Sequence, residues 1–290
     1  MKRLLFAFLG VFLSFAALAG APKLTLDVAA FRNDDRGRNG GVLDMYATVD
    51  GNSLAYKRRA PRIFQAAASL TLEVLAQDGK IVYSEVVKLR PPVLNDTTQA
   101  LKNPMSFQKR IMLPDGVYTV RGQVTDQYRA GGNRIVEVPI TLEFDKPGLR
   151  LSDVVVLAKP ASRSSAQTNF NRGGYMLVRT PGGLYGRGAD KLYLYAELYN
   201  APQEQTLTTK YRLRPVGATR DVATLAGTAK PVAGAPHLLI ATMDIAKLPA
   251  GDYDLIVEVR GAKSKLVASK TTRVQRQPDT YAPAGAVINP

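Results

Sequence analysis

The sequence predicts an all-β protein made of two antiparallel β-sandwiches in tandem, and three observations carry that prediction. From Gly20 onward, short alternations of apolar and polar residues are separated by turn residues. No long stretch keeps the 3.6-residue apolar period that indicates an α-helix. The alternating segments fall into two sets of about seven, one before and one after Lys146, which favours two sandwiches over one large sheet.

The clearest local element of the first half is a hairpin. Leu70 to Leu75 alternates, Gln77-Asp78-Gly79-Lys80 supplies an Asp-Gly turn, and Ile81 to Val86 returns. The same alternation predicts the remaining strands of this half at Lys23 to Phe31, Val42 to Val49, Ser106 to Leu113, Tyr118 to Thr125 and Ile135 to Phe144.

Lys146-Pro147-Gly148 interrupts the strand pattern, because proline removes a ladder donor and glycine loosens the backbone. We therefore expect one sandwich domain over residues 20–146 and a second over residues 147–277. The strands predicted in the second are Leu151 to Leu157, Tyr175 to Arg179, Lys191 to Tyr199, Thr206 to Leu213, His237 to Met243, Tyr253 to Arg260 and Lys265 to Val274.

Three pairs of fragments indicate that the two halves are related. Leu113-Pro114-Asp115-Gly116-Val117-Tyr118 matches Leu248-Pro249-Ala250-Gly251-Asp252-Tyr253, Leu43 to Ala47 matches Leu192 to Ala196, and Leu26-Asp27-Val28 loosely matches Ser152-Asp153-Val154. In the first pair a proline and a glycine make a turn before a strand that opens on tyrosine. Immunoglobulin-like sandwiches often tie such a tyrosine hydroxyl back to the backbone. The pattern favours immunoglobulin- or fibronectin-III-like sandwiches.

Both ends of the chain are expected to lie outside the sandwiches. Met1-Lys2-Arg3, an apolar run from Leu4 to Phe15 and Ala17-Leu18-Ala19 predict a signal peptide over residues 1–19, cleaved after Ala19. The apolar run is shorter than the ~20 residues of a membrane span. We therefore expect an exported protein, periplasmic or extracellular. Residues 278–290, rich in proline and alanine, predict a flexible tail.

Composition limits the chemistry. The chain has no cysteine, which excludes disulfides, a thiol nucleophile, cysteine-based metal sites and a lipidated cysteine, and so a lipoprotein. After loss of the predicted signal peptide, 37 basic residues face 24 acidic ones, a net charge of +13. In an exported protein this predicts an anionic envelope glycan or lipid, or an acidic protein, as partner, and not nucleic acid.

No catalytic motif stands out. His237 is the one histidine, and no Gly-x-Ser-x-Gly elbow is present. Asn33-Asp34-Asp35 offers oxygen ligands, but arginines crowd it and the spacing of a calcium loop is absent. The glycine-rich segments at 131–133 and 181–188 lack a Walker lysine and are interpreted as loops. We therefore expect no enzyme activity, no metal and no cofactor.

Two segments are candidate binding surfaces. Lys57-Arg58-Arg59-Ala60-Pro61-Arg62 is the densest basic cluster and predicts a surface loop that binds anionic glycan or lipid, or one that only aids solubility. If Leu192, Leu194 and Leu198 face the core, alternation places three tyrosines on the other face of their strand. An exposed stripe there would contact a sugar or a protein; packing between the two halves would instead cover it. The tyrosines are Tyr193, Tyr195 and Tyr199.

Three segments also resemble a known family. Leu26-Asp27-Val28-Ala29-Ala30-Phe31, Leu151-Ser152-Asp153-Val154 and Leu192 to Asn200 are similar, in order and spacing, to the N-terminal extracellular region of GWxTD-domain bacterial proteins. The chain has no tryptophan and therefore lacks the Gly-Trp-x-Thr-Asp domain itself. The resemblance implies a secreted β-sandwich protein and supplies no catalytic residues.

These observations favour a non-catalytic exported binding or scaffold protein. Two alternatives remain open. A carboxylate-dependent polysaccharide hydrolase or lyase would need a pocket with two facing carboxylates, one of raised pKa. A strand-addition chaperone or pilus-type subunit would need an exposed edge strand or a groove awaiting one.

Overall fold

The computed structural model describes residues 20–33, 39–98, 104–166, 168–185, 189–202, 206–229, 231 and 235–277. The predicted signal peptide and the predicted tail lie outside these residues, as do Asp34 and Asp35 of the acidic loop. Within the described part of the chain, no helix is long and apolar enough to cross a membrane.

The fold is all-β, as the alternation predicts. Strands of the first half lie in a three-stranded sheet, β1-β2-β7, a four-stranded sheet, β6-β5-β8-β9, and a short hairpin, β3-β4. All seven strands predicted here are present. In chain order the strands are β1 (Leu24–Arg32), β2 (Gly41–Val49), β3 (Lys57–Ala60), β4 (Ile63–Gln65), β5 (Ala68–Ala76), β6 (Ile81–Leu89), β7 (Met105–Leu113), β8 (Gly116–Asp126) and β9 (Asn133–Leu142).

The second half repeats the arrangement. One sheet joins β10, β16, β11 and β19, another has the order β15-β21-β20-β17-β18, and β12-β14-β13 forms a small third sheet. The pairing of β15 with β21 is parallel, whereas the other strand pairs are antiparallel. The strands are β10 (Arg150–Leu151), β11 (Val155–Leu157), β12 (Ser162–Arg163), β13 (Asn171–Arg172), β14 (Tyr175–Met176), β15 (Leu184–Tyr185), β16 (Lys191–Tyr199), β17 (Leu207–Pro215), β18 (Ala223–Ala229), β19 (His237–Asp244), β20 (Gly251–Arg260) and β21 (Leu266–Arg276).

Two predicted strands of the second half are incomplete: the one from Tyr175 to Arg179 is a strand only at Tyr175–Met176, and another is broken. The expected strand from Leu151 to Leu157 is interrupted between β10 and β11. The Asp153 amide donates to the carbonyl of Ala30 in β1 at 3.0 Å, and the Ser152 hydroxyl accepts from the Glu197 amide at 2.8 Å. The Asp153 bond thus joins the interruption to the first half, whereas Ser152 stays bonded to β16 of the second half.

The strand orders confirm that the two halves share a topology. Strands β1, β2 and β7 correspond to β10–β11, β16 and β19, and the order β6-β5-β8-β9 corresponds to β18-β17-β20-β21. The predicted tyrosine corner is present twice: the Tyr118 hydroxyl donates to the Pro114 carbonyl at 3.0 Å, and the Tyr253 hydroxyl donates to the Pro249 carbonyl at 2.8 Å. This is the three-plus-four sandwich of fibronectin-III-like domains.

Three apolar clusters hold the chain together. One lies between the sheets of the first half and another between those of the second. The third combines Ala29, Phe31 and Val42 of β1 and β2 with residues of the second half that include Leu157 and Tyr195. As a result β2 is buried at all nine positions, because both of its faces are covered. Strand pairs lie within one half or the other; the predicted division into domains at residue 146 stays a prediction.

Candidate functional site

The basic segment forms a hairpin and not the loop that the sequence predicts. Strands β3 and β4 pair antiparallel on either side of Arg62, which has a left-handed φ of 58°. Backbone bonds hold the hairpin in place, since Phe64 and Leu94 exchange two N–H···O bonds of 2.8 Å. Alternation does not reveal β3, because its side chains are charged and exposed. The cluster is therefore displayed on an ordered support.

A tyrosine from the β8–β9 turn organises two of these cations. The guanidinium carbon of Arg59 lies 5.1 Å from the ring centroid of Tyr128, and the Lys57 ammonium lies 5.9 Å from it. Arg59 also donates from Nη2 to the Tyr128 hydroxyl. The two ring contacts, of Arg59 and of Lys57, are cation–π interactions, and they restrict long side chains that otherwise sample many rotamers.

The hairpin cations have no acidic partner in the described part of the chain. Lys57, Arg58, Arg59 and Arg62 are all exposed. Among the described residues, no carboxylate lies within 4.0 Å of any of the four. Like charges on one short hairpin repel one another. A concentration of exposed positive charge is therefore left available to an external anion.

A shallow cleft of about 610 Å³ lies beside the hairpin, lined by residues 55–57 and 127–130. One buried carboxylate fixes both of its walls: Asp126 accepts from the amide of Ala55 at 2.7 Å and from the amide of Tyr128 at 2.9 Å. Arg129 donates to the Ser53 carbonyl at 3.3 Å across the same region. We call the hairpin cations, Tyr128 and this cleft the hairpin site. Guanidinium groups there can bind phosphate or carboxylate oxygens in pairs.

The predicted tyrosine stripe is not exposed. Tyr195 and Tyr199 are 0% and 1% exposed, and Tyr193 is half-buried. The expected core leucines on the other face of β16 are buried. The first half covers the tyrosines: Phe31 packs on Tyr195 with ring centroids 6.3 Å apart, and Phe144 meets Tyr199 edge-on at 5.7 Å. The expectation of an exposed binding stripe is wrong, and the alternative of packing between the halves is confirmed.

Instead, the tyrosines join a buried ion-pair network. Glu197, between them on β16, accepts from the Tyr195 hydroxyl at 2.6 Å and from the Tyr199 hydroxyl at 2.5 Å. Arg172 pairs with the same carboxylate at 2.7 and 3.1 Å. Burial raises the pKa of both tyrosines, and the negative charge of Glu197 raises it further. Both tyrosine hydroxyls thus keep their protons and remain hydrogen-bond donors to the Glu197 carboxylate.

Arg172 also links the halves. Its guanidinium carbon lies 4.1 Å from the ring centroid of Phe31, and its Nη2 donates to the Arg32 carbonyl at 2.9 Å. A second ion pair lies nearby: Arg110 of β7 binds Asp44 at 2.6 and 2.9 Å and donates to the Asn171 carbonyl at 2.8 Å. The β12–β14 segment of the second half is therefore bonded to the outer face of the first.

The sequence carried a signal for these pairs. Asp44 and Glu197 each interrupt an otherwise apolar strand, and Lys, Arg, Asp and Glu are rarely buried unless they are paired. Their partners Arg110 and Arg172 lie 66 and 25 residues away along the chain. Neither carboxylate was singled out from the sequence; this signal could have found Asp44 and Glu197, but not the arginines that pair with them.

In the described part of the chain, the residues considered for catalysis or metal binding are not grouped into a catalytic arrangement. His237 is half-buried at the start of β19. In the described residues, no group of three or more His, Cys, Asp or Glu could hold a metal ion. Burial raises the pKa of Asp27, opposed by a hydrogen bond from the Gly182 amide and by the charge of Arg179. Asp27 lies in the contact between the halves, where its 2.8 Å bond to Gly182 has a structural role.

Comparisons with known proteins leave the function open. No protein-family model matches the chain, and no curated protein sequence is similar to it. Among solved structures, a calcium-binding mutant of Bacteroides uniformis beta-glucuronidase 2 is 12% identical over 85% of this chain, with a TM-score of 0.30. The chain spans 27% of that enzyme. Fibronectin(III)-like modules of Clostridium thermocellum CbhA are 13% identical over 88% of this chain and 94% of theirs, with a TM-score of 0.22.

Proposed function

We propose that the protein is an exported, non-catalytic binding or scaffold protein of the bacterial envelope or extracellular space, and that the hairpin site holds a polyanionic glycan or lipid headgroup. The observation that carries this proposal is the set of four exposed cations, three on β3 and Arg62 in the turn before β4, without a described acidic partner. Export is supported by the signal-like residues 1–19 and by the resemblance to the extracellular region of GWxTD-domain proteins.

The geometry suits an extended anion better than a small enclosed one. The cations lie along an exposed hairpin, and the adjoining cleft is open. Phosphate and carboxylate groups spaced along a glycan or over a membrane surface can bind several such side chains at once. The contacts are exposed, so salt screening weakens them, with a Debye length of about 8 Å at physiological ionic strength.

The test replaces Lys57, Arg58, Arg59 and Arg62 together by serine and measures binding to lipopolysaccharide at low and high salt. A matched control replaces four scattered exposed bases, Lys80, Lys88, Lys247 and Lys265, so that the net charge changes equally. We expect the hairpin variant to bind at least about tenfold more weakly and the control to bind like the unsubstituted protein.

Three outcomes of this experiment have distinct meanings. Equal losses in the two variants would show that only overall charge matters, and the hairpin site would be rejected. Retention on vesicles of anionic phospholipid but not on lipopolysaccharide identifies the ligand as a lipid headgroup, and the reverse identifies the glycan. Salt-resistant capture of one envelope protein, unaffected by the hairpin substitutions, would overturn the anion-binding proposal and favour a protein scaffold.

A further inference from the structure

Strand β18 is an unprotected sheet edge. It lies at the end of the β15-β21-β20-β17-β18 sheet, and among the described strands it pairs with β17 alone, without a bulge. Its sequence, Ala-Thr-Leu-Ala-Gly-Thr-Ala, contains neither charge nor proline. Sheet edges normally carry such features, because unpaired N–H and C=O groups otherwise recruit another strand.

The other long edges that the structure describes are protected. Strand β6, which occupies the position of β18 in the first half, has Glu85 and Lys88 and a register shift against β5. Strand β9 has Pro139 and two charged residues, and β1, β7 and β19 each carry charge. Among described edge strands of more than three residues, β18 therefore differs in having none of these features.

The β18 sequence is also complementary to itself when it is reversed. About a centre at Ala226, antiparallel pairing sets Thr224 opposite Thr228, Leu225 opposite Gly227 and Ala223 opposite Ala229. Thr224, Ala226 and Thr228 are the exposed positions, so each pair places two residues of the same face together. Threonine pairs exchange hydroxyl hydrogen bonds, and Gly227 leaves room for the Leu225 side chain.

We propose that β18 pairs antiparallel with β18 of a second copy of this chain, about a two-fold axis through Ala226. The two sheets then continue into one, and the exposed backbone groups of both edges are satisfied. A closed two-fold contact consumes both edges and so produces a dimer, not a fibre. The dimer presents two hairpin sites, but the pairing does not depend on what those sites bind.

Engineered cysteines test the register, because the native chain contains none. Opposed residues in an antiparallel pair have Cα atoms about 4.5–5.5 Å apart, within reach of a disulfide. We expect Ala226→Cys to form a disulfide dimer under mild oxidation. Thr224→Cys and Thr228→Cys should each form no disulfide dimer alone, since each cysteine would lie about 13 Å from the same cysteine in the second copy. A mixture of the two variants should cross-link, because Thr224 lies opposite Thr228. The control is Ser84→Cys, exposed on β6.

Charge substitution at the axis gives an independent readout. Ala226→Lys and Ala226→Glu each place like charges opposite one another, and each should weaken dimerisation by about fivefold or more in sedimentation equilibrium. An equimolar mixture of the two should recover a heterodimer. Gly227 is left unchanged, because a Cβ there would meet Thr209 Oγ1 at 2.9 Å.

Two results would overturn the proposal. One is an unsubstituted protein that sediments as a monomer at high micromolar concentration. The other is Ala226→Cys that cross-links no more than Ser84→Cys, which would leave β18 without a second copy. Dimerisation with equal cross-linking of Thr224→Cys alone and in the mixture would reject this register. Circular dichroism of each variant confirms that the sandwiches remain folded.

Discussion

At the scale of single residues, the contact between the halves depends on paired charges placed in apolar strands. Glu197 accepts hydrogen bonds from two tyrosine hydroxyls and from Arg172 Nη2, and the Nε of Arg172 lies 2.7 Å from it as an ion-pair contact. A buried carboxylate with this many partners is tolerated, whereas one that has lost its cation is not. The network therefore specifies how the halves join more than it adds to net stability.

Replacing Arg172 by methionine should be strongly destabilising, because Glu197 would stay buried without its cation. We expect the free energy of unfolding to fall by about 3–5 kcal/mol in urea titrations. The double variant Arg172→Met with Glu197→Leu should recover a large part of that loss. Arg273→Met, which breaks an exposed pair with Asp254, is the matched control and should cost less than about 1 kcal/mol. Equal costs for Arg172 and Arg273 would contradict the buried-pair role.

At the scale of elements, the tyrosine corner occurs once in each half, and the two copies can be compared. The Tyr118 and Tyr253 hydroxyls each donate to the carbonyl of a proline four residues earlier, and both side chains are buried. Tyr118→Phe and Tyr253→Phe should each lower the free energy of unfolding by about 1–3 kcal/mol, since each leaves a carbonyl short of a donor. Thermal or urea unfolding measures both. A loss in one copy alone would show that the second corner is not equivalent.

Much of the strand pattern can be predicted from the sequence, and the exceptions have physical causes. Strands with one apolar face, such as β5 and β8, alternate clearly because every second residue enters the core. Strand β3 is charged and is held by backbone bonds, so alternation does not mark it. Strand β18 alternates with small residues whose hydrophobic contrast is weak. Side-chain alternation predicts strands that have one apolar face, and it misses strands that are held mainly by backbone hydrogen bonds.

The candidate site was predicted only in part. The hairpin cations were recognised from their density along the chain, and their exposure follows from the structure. Tyr128 and the cleft were missed, since nothing in the sequence brings the β8–β9 turn to β3. For the tyrosines of β16 the sequence leaves an exposed stripe and packing between the halves both open, because strand alternation gives the faces of one sheet but not what covers the outer face.

At the scale of the whole molecule, the halves should be thermodynamically coupled. Residues 20–146 alone would expose Phe31 and Val42, which the second half covers. We expect this fragment to unfold at a lower temperature than the full chain, and the full chain to unfold in one calorimetric transition. An exposed-surface dye should bind the fragment more strongly. Two separate transitions in the full chain, one matching the fragment, would show instead that the halves are independent.

The placement of Arg172 also has a consequence for the order in which the molecule is completed. The residues of β1 and β2 precede residue 172 along the chain, so in synthesis, and in the export proposed above, Phe31 and Val42 emerge before the Arg172 and Tyr195 that cover them. During that interval the nascent first sandwich carries an uncovered apolar surface. Any delay in delivering the second half prolongs the period in which a neighbouring chain can occupy its place.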